Sequence, residues 1–476
     1  MEVETKKEPN LADLIADASM EMSKIVHPEG APVDNTNVFI NLLKKRHYWP
    51  ALQVKKFFSS KNLLLLHNTY KRYDVAGFQK LYDECRSVVL DFSAPEGNNI
   101  VVTYAHSIPE RMSDSDYEII MKDTDKCDVS FEGTVVTVYQ YQGKWYFGTT
   151  GCPTIDSSRY FHPTKTHGTM FDEAIAKITN TEFPETKEAS VQLRQKFAEE
   201  HLNPDNAYAF ILVHHDNKHI MDYTSTLGEN YAKLVHIVTR NRMSFEDDNL
   251  ANQPLVHVGI IYPTSFAMPK FGLTYLRTAP NAYAIMVTTA EGKRIKVSDA
   301  AIVRREDYDL GNPNVWHNML HVYIQNNPQY KIVDYIKEFS VAVTEPISSD
   351  GSALSPTYII HTALCTIRDI IYRFYIATTK YFPKTRRYKI DIEQDRDLPG
   401  NIRFHLAQLR NYQITTDIDK ILSEKAVYHY ICHNQTMKNL RLMIKFFAEQ
   451  CAEGVDTGIP ARASECIRIL NNLLTA

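Results

Sequence analysis

The chain changes texture once along its length. From residue 38 to about 305, short runs of β-branched and aromatic residues are cut by polar turns. After about Asn314, apolar positions recur every three to four residues instead. In the first stretch, 87–92, 100–104, 134–141 and 144–148 predict strands, and Gln142-Gly143 between the last two predicts a hairpin turn. Further strands are predicted at 208–213, 219–223, 234–239, 283–288 and 294–297, and Leu63 to Leu66 is a strand-sized apolar run. Helical spacing appears at 171–178 and 190–202. It also dominates 359–381, 401–410, 418–430, 437–447 and 461–474, with Thr416 as an expected N-cap and Gly351 marking a linker.

The expected organisation is an N-terminal arm over 1–37, an α+β domain with antiparallel sheets over 38–312, and an all-helical domain over 313–476. The arm carries a short amphipathic pattern (Leu11, Leu14, Ile15, Met20, Met22) that is marginal as an isolated helix.

Composition narrows the function classes. The 476 residues carry 53 Lys+Arg against 57 Asp+Glu, a net charge of −4, so bulk electrostatics do not mark a nucleic-acid binder. With 17 Gly against 28 Tyr and 21 Phe, collagen-like and low-complexity architectures are excluded. Seven scattered cysteines with no C-x-x-C pair fit reduced thiols rather than a disulfide framework or a zinc site. The charged start MEVETKKEPN is not a secretory signal, and no apolar run suggests membrane insertion. A cytoplasmic or virion protein, not a secreted one, is expected.

The candidate chemistry lies in the strand-rich part. Asp83-Glu84-Cys85-Arg86-Ser87 precedes one strand, and Ser130-Phe131-Glu132-Gly133 enters a hairpin that closes in Thr149-Thr150-Gly151. Phe210-Ile211-Leu212-Val213 is followed by Asn217-Lys218-His219-Ile220. Tyr283-Ala284-Ile285-Met286-Val287 and then Lys296-Val297-Ser298 complete the set. In order and flanking strand character it resembles the ATP-dependent RNA ligases of the T-even phage type, over about residues 60–310. That family has E-C-R-G, K-x-D-G-S, a hairpin ending in T/S-R/K-G-S, F-E-x-V, N-R-I-V-x-x-Y, E-G-x-V and K-x-K. The resemblance implies a ligase- and capping-enzyme-like nucleotidyltransferase fold, with a helical domain behind it.

The departures fall on the reacting groups. The family's lysine amine attacks the α-phosphate of ATP and holds AMP as a phosphoramidate; here that position is Ser130. The F-E-x-V glutamate becomes Ile211, and the E-G glutamate becomes Tyr283. Of K-x-K, Lys296 remains and its partner becomes Ser298, while the arginine of the closing turn becomes Thr150. A pseudoenzyme is therefore expected, an assembly component with protein partners in a cell or virion, with no cofactor. The alternative is an active ligase with an unusual nucleophile, which would use ATP and Mg2+. A third reading is an RNA-end binder without chemistry.

Several residues carry two readings. Lys126 in Lys126-Cys127-Asp128 matches the start of K-x-D-G and is the weak alternative nucleophile; the plainer reading is a solvated lysine. Arg86, Glu132 and Lys296 could hold a nucleotide without turning it over, or Glu132 could cap a turn and Arg86 pair with a carboxylate. His214-His215-Asp216 with His219 has metal-ligand residue types, but in the family this stretch is a hairpin turn, and no metal is expected. Cys85 reads as a small buried residue. Lys380, Lys384, Arg386, Arg387 and Lys389, interleaved with Tyr381, Phe382 and Tyr388, form the most basic stretch. It reads as an RNA contact or as a solvated loop between helices.

Overall fold

The computed structural model describes residues 8–24, 35–49, 51–57, 60–68, 78–93, 100–102, 108–159, 165–217, 220–248, 255, 258–290, 292–308, 312, 314–325, 330–340, 343, 345–382, 387–390, 399–415, 421–433, 435–452 and 458–475. Two compact units divide the chain, Met1–Glu306 and Asp307–Ala476.

The first unit opens with α1 (Leu11–Ser23) and α2 (Asn35–Lys45), followed by strands β1 (Leu52–Phe57) and β2 (Ser60–Asn68), helix α3 (Gln79–Glu84), and strands β3 (Val88–Asp91) and β4 (Ile100–Val102). The strands form one antiparallel sheet in the order β1-β2-β3-β4. Asn10 caps α1 by accepting the Asp13 N–H at 2.9 Å. Leu11, Leu14, Ala18 and Met22 then recur on one face, and bury with Phe39 and Leu43 against Leu64, Leu66, Val88 and Leu90. Leu63 and Leu65 point the other way, toward Tyr139 and Ala207 of a second sheet. Burial on both faces explains why Leu63 to Leu66 lacks polar alternation.

Next come β5 (Glu110–Ser113), α4 (Asp114–Ile120), β6 (Lys126–Ser130), β7 (Thr134–Tyr141), β8 (Lys144–Thr149), α5 (His167–Thr179), α6 (Lys187–His201), β9 (Asn206–His214), α7 (Thr224–Leu227) and β10 (Ala232–Asn241). The unit closes with β11 (Ser265–Phe266), α8 (Pro269–Thr278), β12 (Ala284–Thr288), β13 (Arg294–Ser298) and α9 (Ala300–Tyr308), whose Glu306 is the unit's last residue. The second sheet runs β10-β9-β7-β8 and is covered by α5 and α6. The third runs β11-β6-β12-β13-β5, antiparallel except for the β13–β5 pair. Because β6 ends at Ser130 and β7 begins at Thr134, Phe131-Glu132-Gly133 is the step from the third sheet to the second.

The strand expected at 219–223 is absent over its described residues; 220–223 form a bend leading into α7. The reason is local. The N–H groups of Ile220 and Met221 donate to a side chain, Glu132, rather than to a neighbouring strand.

The second unit contains α10 (Val315–Gln325), α11 (Ile332–Glu338), the 23-residue α12 (Pro356–Thr378), β14 (Thr379–Phe382), β15 (Arg387–Ile390), α13 (Gly400–Thr415), α14 (Glu424–His433), α15 (Met437–Ala452) and α16 (Ala461–Thr475). Ser355 caps α12 and Pro356 fills its first turn. Ile359, Ile360, Ala363, Leu364, Ile367, Ile371 and Tyr375 are buried along it. Over the described residues, the helix expected at 418–430 starts at Glu424, since Ser423 Oγ accepts the Ala426 N–H and the Leu422 N–H is drawn to Tyr375 Oη at 2.8 Å; 418–420 lie outside the described residues. Thr416 lies outside the described residues.

Among its described residues, the unit is helical but for one hairpin. The basic stretch expected as a loop pairs Lys380 with Lys389, Tyr381 with Tyr388 and Phe382 with Arg387. Lys384 and Arg386 lie outside the described residues. Among the described residues, no helix is long and apolar enough to cross a membrane.

Candidate functional site

Ser130 ends β6 and pairs with Ala284, which places it beside Tyr283 at the entry to β12. Ile211 on β9 lies over the turn; a Cβ built on Gly133 would stand 2.6 Å from Ile211 Cγ2. Ser130, Glu132, Ile211 and Tyr283 therefore gather around one strand-to-strand step. Lys126 does not join them. It is exposed at the far end of β6, paired with Thr288, about 13 Å along the strand from Ser130 at ~3.3 Å per residue. Arg86 belongs to the turn between α3 and β3 in the first sheet, where it is half-buried. Cys85 is fully buried, and burial pushes its thiol far above the usual range, which removes it as a nucleophile.

Lys296 is engaged from within the protein. Its Nζ donates to Glu306 Oε1 at 2.5 Å and to Tyr283 Oη at 3.1 Å, and stands 4.9 Å from the Tyr283 ring centre. The Tyr283 hydroxyl donates to the same Glu306 oxygen at 2.5 Å. The Glu306 side chain is only 8% exposed, and its second oxygen has Arg111 Nη1 at 3.8 Å. Burial and the Glu306 charge hold the Tyr283 hydroxyl well above its ordinary range, so it stays a neutral donor. Ser298, one pleat beyond Lys296, is fully buried. Glu306 had no motif signal in the sequence; it reaches the site only because α9 folds back after β13.

Glu132 faces another way. Its carboxylate accepts the Ile220 N–H at 2.9 and 3.1 Å and the Met221 N–H at 2.6 Å, while its own N–H donates to Tyr223 Oη at 2.8 Å. Phe131 packs on Tyr223 with ring centres 5.9 Å apart. Glu132 thus ties the turn to the segment before α7.

Burial raises the Glu132 carboxyl to about 7 against the backbone N–H groups and Lys296, which lower it; the Glu306 charge adds to the rise. Since the folded value exceeds the ordinary 4.5, the native state holds the extra proton between about pH 4.5 and 7. The contribution to stability is complete below about 4.5 and is lost as pH rises through 7. At ~1.4 kcal/mol per pH unit it is on the order of 3 kcal/mol. Urea midpoints between pH 5 and 8 should fall for the wild type and stay flatter in Glu132→Gln; equal slopes would refute the assignment.

Two polar clusters lie on the second sheet; the first carried no signal in the sequence, and the second is the His-His-Asp stretch weighed there as a metal site. His167, at the start of α5, bonds Ser158 Oγ through Nδ1 at 2.8 Å and Thr134 Oγ1 through Nε2 at 3.0 Å. Burial holds this ring down to about 4, so it is a neutral structural bridge. The His-His-Asp stretch meets α5, where Glu173 Oε2 lies 2.8 Å from His214 Nε2. His219 lies outside the described residues.

No protein-family model matches the chain, and no curated protein does. Among solved structures it is similar to a chain described as an ATP-dependent DNA ligase from Aquifex aeolicus, at 10% identity and a TM-score of 0.37 over 63% of this chain and 71% of that one. Two forms of an archaeal ATP-dependent RNA ligase are also similar. Form 1 has 11% identity and a TM-score of 0.35, covering 63% of this chain and 69% of that chain. Form 2 has 13% and 0.36, covering 66% and 70%.

Proposed function

We propose that the Met1–Glu306 unit is an RNA-ligase-like nucleotidyltransferase body that no longer transfers nucleotides and serves as a binding or structural component of an assembly. A virion component is the form this takes by analogy with the T-even phage type. The observation that carries the reading is the Lys296–Glu306–Tyr283 arrangement. A triphosphate needs a cation held ready for it, and here the retained motif lysine already neutralises a buried carboxylate. Drawing it away would leave buried Glu306 with only the Arg111 guanidinium, 3.8 Å from its second oxygen, as counter-charge, at a cost of a few kcal/mol.

The nucleophile position adds independent support. Ser130 offers a hydroxyl where the chemistry needs an amine, and Lys126 stands about four residues away along an extended strand. Glu132, at the position of the family's motif aspartate, spends its carboxylate on Ile220 and Met221. The expected result is that the purified chain, incubated with α-labelled ATP and Mg2+, forms no covalent AMP adduct. A labelled adduct that disappears in Ser130→Ala or Lys126→Ala would establish the active-ligase alternative, with ATP and Mg2+ as its cofactors.

A further inference from the structure

We propose that Glu173, His215 and Asp216 form a divalent transition-metal site, distinct from the motif residues, whose place is held by the Lys165 ammonium when no metal is bound. The ligand atoms of Glu173, His214 and His215 all lie within 4.8 Å of one another, brought together by α5 and the turn after β9. Lys165 Nζ stands among these groups, 2.6 Å from Glu173 Oε1 and 2.6 Å from Asp216 Oδ2.

The hydrogen bonds orient each donor. His215 Nδ1 lies 3.0 Å from the Tyr231 carbonyl, to which it donates, so in the neutral ring the Nε2 lone pair faces Asp216 Oδ2 at 3.5 Å. Two acceptors facing each other call for a cation between them. An imidazole anchored through Nδ1–H on a carbonyl, with Nε2 turned to carboxylates, is also how proteins prepare a metal ligand.

His214 plays a different part. Its Nδ1 accepts the Asp216 N–H at 3.0 Å, so its Nε2 carries the proton and donates to Glu173 Oε2 at 2.8 Å. It is a positioning residue that fixes Glu173 with the other oxygen directed to Lys165. Among the described residues, two carboxylates of the cluster share one ammonium, that of Lys165. A divalent ion replacing the ammonium balances both carboxylates. One imidazole with two carboxylates suits zinc or manganese better than magnesium.

The test is calorimetric titration of the chelator-treated full chain with Zn2+ alone. One equivalent should bind, and His215→Ala and Glu173→Gln should each weaken it at least about tenfold. Lys165→Met leaves all three donors in place and should tighten binding by about tenfold, because it removes the competing cation. No binding by the wild type, undiminished binding in folded His215→Ala, or unchanged affinity in Lys165→Met would each overturn the proposal. The Lys165 variant keeps the test decisive should a ligand substitution prevent folding.

Discussion

Replacing Arg194 with methionine should destabilise the chain by about 3–5 kcal/mol, the range for stranding one partner of a buried ion pair. Arg194 sits on α6 with its side chain 4% exposed, and makes two forked contacts. Nε and Nη2 reach the Asp172 oxygens at 2.5 and 2.7 Å; Nη1 and Nη2 reach those of Asp156 at 2.9 and 2.8 Å. Asp156 is partly exposed and can rehydrate, but the Asp172 side chain is only 2% exposed and cannot. The cost therefore belongs to Asp172, and a double variant with Asp172→Leu should recover much of it. Arg194→Lys should recover little, since an ammonium cannot make either fork. Urea unfolding of the full chain, followed through Trp145 in the same core, measures all three. A single-variant loss below about 1 kcal/mol would show that the pair is not what holds α5 to α6.

Gly133→Ala should cost about 3 kcal/mol, at the upper end of overpacking effects, and should be harder to relieve than most. The added Cβ would stand 2.4 Å from the Leu212 carbonyl oxygen and 2.6 Å from Ile211 Cγ2. A side chain could swing aside, but a carbonyl in a central strand cannot. Leu212 pairs with Thr134 on one side and Leu234 on the other. Trimming Ile211 to Ala in the same chain should therefore not rescue the loss. Gly143, by contrast, has open space around it, and its alanine variant should cost only what a φ of +75° imposes, about 1 kcal/mol. Comparable losses at the two glycines would refute the packing argument. Gly133 is thus required by the close approach of β7 to β9.

The parts of this fold readable from sequence are those governed by a short period. The hairpin of β7 and β8 emerges from alternating β-branched and aromatic residues around Gln142-Gly143, both of which adopt positive φ. Strand character in β9, β10, β12 and β13 and helical character in α5, α6 and α12 follow similarly, whereas β1, β5, β6 and α8 gave no such signal. What escaped was written across long separations. Nothing in Ile220–Tyr223 distinguishes a strand from a bend held by Glu132, and the pattern favours the strand. Glu306 comes to Lys296 from the following helix and carries no motif of its own. Arg194 and Asp172 lie on α6 and α5, whose apolar spacing was legible while their shared charge was not, and Asp156 lies on the short 3-10 turn Ile155–Ser157. The basic stretch at 380–389 read as loop because lysines and arginines rarely announce a strand; only the register of Lys380 against Lys389 reveals it.

The bond from Glu132 to Ile220 spans 88 residues, and that distance has a kinetic meaning. Closing so long a loop carries a large entropic cost, so this contact is expected to form after the third sheet has placed Ser130 and β7 has paired with β9. Glu132→Gln should then speed unfolding more than it slows refolding; a variant that mainly slows refolding would refute the expectation. The segment leading into α7 is therefore the fold's closing stitch: its order reports that both sheets have already come together.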